Sequence, residues 1–205
     1  MELTSDLDKK DVILKALQNS TSSEEYEELI RDFAENGKTT GPNQSDDLVH
    51  YTKLNAQRSK RVGKTARIDE KLSYKLSSIN QKQTWLLITE SWCGDAANSV
   101  PVLSKLSALN DQIDLRIVLR DENLDLMDRF LTNGGRSIPK LIALDENSNV
   151  LYTWGPRPQE AQELYDEWRF SENKVPYKEF QIELQKWYNK DGGASLQMEL
   201  LDLIS

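Results

Sequence analysis

The feature that most constrains this chain is a change of hydrophobic period at Thr84. Before it, apolar residues recur at helical spacing. Leu7, Val12, Ile13, Leu14 and Leu17 mark a helix over residues 6–19. Tyr26, Leu29, Ile30 and Phe33 mark a second, opened by the capping-box pattern in Thr21-Ser22-Ser23-Glu24-Glu25 and stopped at Asn36-Gly37. Leu48, Tyr51, Leu54 and Asn55 begin another stripe, and Ile68, Leu72, Leu76 and Ile79 a further one. After Thr84 the pattern differs. Trp85-Leu86-Leu87-Ile88-Thr89 is a short unbroken apolar run, suited to a strand buried on both faces.

From there the chain reads β-α-β-α-β-β-α. Ala97, Val100, Leu103, Leu106 and Leu109 form a helix with Pro101 inside it, where a kink is expected. Residues 113–119 form the next strand, and Leu124 to Leu131 a short helix ending at Asn133-Gly134-Gly135. Residues 141–144 and 150–154 form a hairpin around Asp145-Glu146-Asn147-Ser148. Gly155-Pro156-Arg157-Pro158 breaks the chain before two amphipathic helices and a final apolar segment from Leu196 to Ile204. The two β-α-β units imply right-handed crossovers and parallel strands, giving a mixed α/β sheet.

The chain's only cysteine, Cys93, falls at the first strand-to-helix turn, in Trp92-Cys93-Gly94-Asp95-Ala96. Free backbone N–H groups and the helix dipole favour an anion there. That junction, taken with the element order, resembles the thioredoxin fold. Gly135-Arg136-Ser137-Ile138-Pro139-Lys140-Leu141-Ile142, opening the third strand, supports the resemblance. It implies that Pro139 is cis and faces Cys93, and that the Ile138 backbone pairs with an extended peptide. Gly155 sits where the family has a glycine near its site. The resemblance covers residues 82–168. Helical extensions accompany a divergent bacterial branch of thioredoxin-like proteins. The expected architecture is therefore an all-helical extension over residues 1–80 and a thioredoxin-like domain with extra C-terminal helices over residues 81–205.

The departures bear on function. Ala96 stands where a dithiol enzyme has its second cysteine, and Leu87 where thioredoxins bury an acid. Both losses strike the step in which a second thiol releases a mixed disulfide. What remains is one-thiol chemistry: monothiol exchange, or redox sensing through a reversible mixed disulfide. Cys93 would be the nucleophile, with Trp92, Gly94, Asp95, Arg136, Ile138 and Pro139 lining the substrate site. A protein or small-thiol disulfide would be the partner, and glutathione or bacillithiol the co-substrate. This chemistry requires an exposed Cys93 with a lowered pKa. Asp95 opposes that by like-charge repulsion, and by the resemblance Arg136 is the nearby cation that could offset it or hold a ligand carboxylate. The rival reading is a non-catalytic thioredoxin-fold module that binds a protein. A third is a monothiol Fe–S carrier with Cys93 and glutathione as ligands.

Other chemistry finds little support. The single histidine, His50, argues against a His-rich metal site or a Ser-His-Asp triad, so no resident cofactor or metal is expected. A net charge of −8 disfavours nucleic acid and acidic membranes, and the basic stretch from Lys53 to Lys75 reads as a solvated helical face. No apolar run reaches membrane-span length, the acidic N-terminus lacks a signal-peptide core, and one cysteine suits a reducing cytoplasm. The sequence sets no oligomeric state.

Overall fold

The computed structural model describes residues 2–204. In chain order the elements are α1 (Glu2–Gln18), β1 (Thr21–Ser22), α2 (Ser23–Glu35), α3 (Asp46–Thr65), α4 (Glu70–Ser77), β2 (Gln83–Thr89), α5 (Gly94–Ser107) and β3 (Ile113–Leu119). A 3-10 turn (Arg120–Glu122) and the single-turn α6 (Leu124–Met127) lead to β4 (Lys140–Leu144) and β5 (Val150–Trp154). Three helices follow: α7 (Gln159–Phe170), α8 (Tyr177–Asp191) and α9 (Ala194–Leu203).

The strands form one mixed sheet in the order β1-β3-β2-β4-β5. β2 is parallel to β3 and antiparallel to β4, and β4 and β5 form the expected hairpin. The first β-α-β unit is therefore parallel, but the second is not. Only a 3-10 turn and the four-residue α6 separate β3 from β4. The chain re-enters on the far side of β2, running the other way, so no long crossover is needed. The segment expected to be all helix also supplies β1, two residues paired antiparallel with the edge of β3. It falls in the capping-box tract, and one tract serves both elements. The Ser22 hydroxyl accepts from the Glu25 N–H (3.2 Å) while the Glu25 carboxylate accepts from the Ser22 N–H (2.7 Å).

β2 is the centre of the core: Trp85, Leu86, Leu87 and Ile88 are fully buried. The same apolar cluster takes in Ile13 and Ala16 from α1, Tyr26 and Ile30 from α2, Leu72 and Leu76 from α4, and Leu196, Leu200 and Ile204 at the C-terminal end. Of the α1 stripe, the side chain of Leu7 lies outside those described. Of the expected α3 stripe only Asn55 is buried; Leu48, Tyr51 and Leu54 are half-buried, and Thr52 is buried instead. α7 and α8 contribute nothing to this cluster. They pack on each other through Tyr165, Trp168, Tyr177 and Phe180, with the Trp168 and Phe180 rings stacked at 4.9 Å.

Pro101 lies within α5 and the helix runs through it. A proline leaves the carbonyl four residues earlier without its helical donor. Here that carbonyl belongs to Ala97, and the Ser59 hydroxyl of α3 donates to it at 3.3 Å. The helix–helix contact thus supplies the hydrogen bond that the sequence removed.

Candidate functional site

The chain leaves β2 at Thr89 and turns through Glu90-Ser91-Trp92 to Cys93, the N-cap of α5. Helix α3 and the loop over residues 39–40 hold this turn. Ser91 Oγ meets Thr52 Oγ1 (2.8 Å) and Thr40 Oγ1 (3.0 Å), and it accepts from the Thr40 N–H (3.1 Å). The Ser91 N–H donates to Thr40 Oγ1 (2.9 Å), and its carbonyl accepts from Asn55 Nδ2 (3.0 Å). This network explains the polar burial on α3: Thr52 and Asn55 face the turn and satisfy it.

The Ile138–Pro139 bond is cis, as is Gly155–Pro156. The Cys93 thiol donates to the Ile138 carbonyl at 3.3 Å, next to that cis bond. Gly155 adopts φ +107, and a Cβ on it would collide with the Pro139 carbonyl oxygen. Only glycine allows that close approach. Gly94 is less constrained, since a Cβ there would make an ordinary 3.7 Å contact with Arg58 Nη1.

Cys93 is only 8% exposed. Burial, and next the Asp95 carboxylate, push its pKa up to about 12, against the smaller opposing pull of the Ala96 and Asp95 N–H groups and Arg157. The exposed, low-pKa thiol required for resting exchange is therefore not found. The helix end favours a thiolate, but desolvation outweighs it.

Asp95 explains much of this. It is itself buried, and it accepts from Arg157 Nε (3.1 Å) and Nη2 (2.6 Å) and from the Tyr188 hydroxyl (2.8 Å). The motif's acid thus bolts the start of α5 to the β5–α7 connection and to α8. Arg136, expected to be the neighbouring cation, points elsewhere: its guanidinium forms a two-pronged pair with Asp128 at 2.6 and 2.7 Å. Arg157 takes that place, and it also stacks on Tyr165, 4.4 Å from the ring centroid. The Gly155-Pro156-Arg157-Pro158 segment reads as a chain break, and the one signal it offered was an arginine between two prolines that follow the strand paired with β4. Trp92 is half-buried beneath Arg120, 4.8 Å from its ring, and its buried indole N–H has no partner among the described residues.

Glu90 is a buried acid that sequence reasoning passed over. It is fully buried three residues before Cys93. Its Oε1 accepts from the Asp121 N–H (2.8 Å), Oε2 has no partner, and burial holds its pKa above the usual carboxylate value. The buried position expected for a family acid is Leu87, and that residue is apolar core. Among the described residues no group of His, Cys, Asp and Glu side chains could hold a metal ion, and no helix is long and apolar enough to cross a membrane. An iron–sulfur ligand must be a thiolate, so cluster binding at Cys93 would have to displace its proton and uncover a side chain that is buried here.

A single-thiol site beside an Ile-Pro turn, on a mixed sheet with helices on its faces, defines a thioredoxin-like protein. The thioredoxin family model matches residues 41–169, and the chain belongs to that family. Among solved structures it is similar to a protein of unknown function, PA1234, from Pseudomonas aeruginosa. The two share 20% identity over 76% of this chain and 84% of that one, with a TM-score of 0.54. It is also similar to an HIV 4E10 epitope-scaffold, at 18% identity over 85% and 96% of the two chains and a TM-score of 0.52. At these identities the likeness is one of fold. No curated protein matches the chain.

Proposed function

We infer that this protein is a thioredoxin-fold binding module whose single thiol rests neutral and shielded, rather than a disulfide oxidoreductase working through a resting thiolate. The Cys93 environment carries this reading: a buried thiol that donates to the Ile138 carbonyl and has its pKa pushed up to about 12. The binding edge would be the Ile138-Pro139 turn together with the half-buried Trp92.

One observation favours a second reading, redox sensing through a mixed disulfide. The α7–α8 pair, which reaches Asp95 through Tyr188, lies outside the apolar core and is held beside the site by polar contacts. Loosening it would uncover Cys93. A small-thiol disulfide such as oxidised glutathione would then form the mixed disulfide and release one thiol, and a second thiol would reverse it.

Thiol titration with a chromogenic disulfide reagent separates the two. A pKa near 12 against 9.0 for an ordinary thiol leaves about a thousand-fold less thiolate at neutral pH. The native chain should react slower than free cysteine by that order, and faster in Asp95→Asn, which removes the like charge. A native rate equal to free cysteine at pH 7 would replace the binding reading with the redox one. Peptides selected on the native chain should bind Cys93→Ser equally well and lose affinity for Ile138→Arg.

A further inference from the structure

Away from Cys93, a cavity of about 710 Å³ opens between α2, the loop over residues 39–44 and the edge of β3. Ligand pockets run from about 300 to 1,000 Å³, so its size suits a small molecule. Leu29 and Phe33 belong to the apolar stripe of α2, yet they face this space, half-buried, instead of joining the core cluster. Ile117 and Leu119 form the opposite wall.

The polar lining has a definite character. Gln44 donates to the Thr39 and Gly41 carbonyls, Thr21 donates to the Ile117 carbonyl, and Thr39 and Thr40 are committed to the Ser91 network. The exposed Asn19 donates to the Lys15 carbonyl, Tyr26 is buried, and the charged groups of the lining are two carboxylates. Asp121 gives Oδ1 to Arg120, at 2.9 Å from Nε and 2.8 Å from Nη2. Its Oδ2 lies beside Gly41, where a Cβ would come within 2.7 Å of it, and Gly41 has the left-handed φ of +79 that glycine tolerates. Glu122 has no partner among the described residues and is exposed. No lysine or arginine lines the space. The charged groups of the lining are both anionic, so the cavity suits a donor-bearing cation with an apolar body and disfavours phosphates and carboxylates.

A route leads from here to the cysteine turn. Arg120, which shares Asp121, stacks on Trp92, and the Asp121 N–H is held by Glu90. An ammonium that draws on Asp121 competes with Arg120. We propose that this cavity binds a compact amphipathic amine and that its occupancy is relayed to Trp92 through Asp121 and Arg120. The site does not depend on whether Cys93 reacts.

The test uses the full chain with 2-phenylethylamine as probe and 3-phenylpropanoate as its anionic counterpart. The amine should raise the melting temperature saturably, with Kd on the order of 1 mM or tighter, and the carboxylate should not. Asp121→Asn should weaken the amine about five-fold or more, the order of one charge-assisted hydrogen bond. Leu29→Trp, which puts a bulky ring into the space beside Phe33, should weaken binding. If that variant does not fold, amide shifts on the native chain should cluster at residues 21, 29, 33 and 117–122. Tryptophan fluorescence should change on binding in the native chain and not in Trp92→Phe, which still binds. No saturation by about 10 mM, equal binding of the carboxylate, or native affinity in Leu29→Trp overturns the site. A melting shift without a fluorescence change overturns the relay.

Discussion

At the scale of single residues, charge and burial set the character of this site more than the identity of its cysteine. Cys93 is where a thioredoxin thiol belongs, but burial and Asp95 hold it protonated. Glu90 is the second buried titratable group of the turn. Its raised pKa means that the folded chain keeps the proton to higher pH than the unfolded one, so its stabilising effect is complete in acid, below about pH 4.5, and fades as pH rises through the folded value. Glu90→Gln keeps an acceptor for the Asp121 N–H and removes the buried charge. Denaturant unfolding should show the variant gaining on the native chain by about 1 kcal/mol between pH 4 and pH 7, the order of one buried group's desolvation. A constant difference across that range would place Glu90 in a wetter setting. Both groups were visible in the sequence, yet neither protonation state was. Position in a motif fixes which atoms sit at a helix end, whereas desolvation depends on side chains from distant elements.

At the scale of elements, the legible features were those with local causes. The Ser22–Glu25 capping box opens α2 where its pattern lies, and the β4–β5 hairpin turns at the expected residues. Two features were not legible because their causes are long-range. The antiparallel entry of β4 follows from which neighbour it pairs with, something periodicity does not encode. The unbroken path of α5 through Pro101 rests on Ser59, which sits on another helix. A double-mutant cycle tests this. Ser59→Ala should cost about 1 kcal/mol in the native chain. In a Pro101→Ala background, where Ala97 regains its helical donor, it should cost markedly less. An equal cost in both backgrounds would mean that the Ser59 bond is unrelated to the proline.

At the scale of the whole molecule, the first eighty residues and the sheet share one apolar cluster, and α3 also anchors Ser91. The buried acids of high pKa set the molecule's response to alkali. Cys93, Tyr26 and Tyr188 all have folded values above their ordinary ones, chiefly through burial. The unfolded chain therefore loses these protons first. Their contribution is intact below the ordinary thiol value of 9.0 and is lost progressively as pH climbs toward the folded values. Chemical denaturation should show stability flat from pH 7 to about 8.5 and falling steeply above about 9.5. Flat stability to pH 11 would contradict it. The sequence by itself determined most of the helical stripes, the strand periods and the single thiol at a helix start, which follow from spacing along the chain, while the Ile-Pro turn beside the thiol was what the family resemblance implied. Only the tertiary structure decided that Arg157 rather than Arg136 neutralises Asp95, that β4 runs antiparallel, and that the thiol is shielded. Each of these depends on groups far apart in sequence meeting in a space from which water has been excluded.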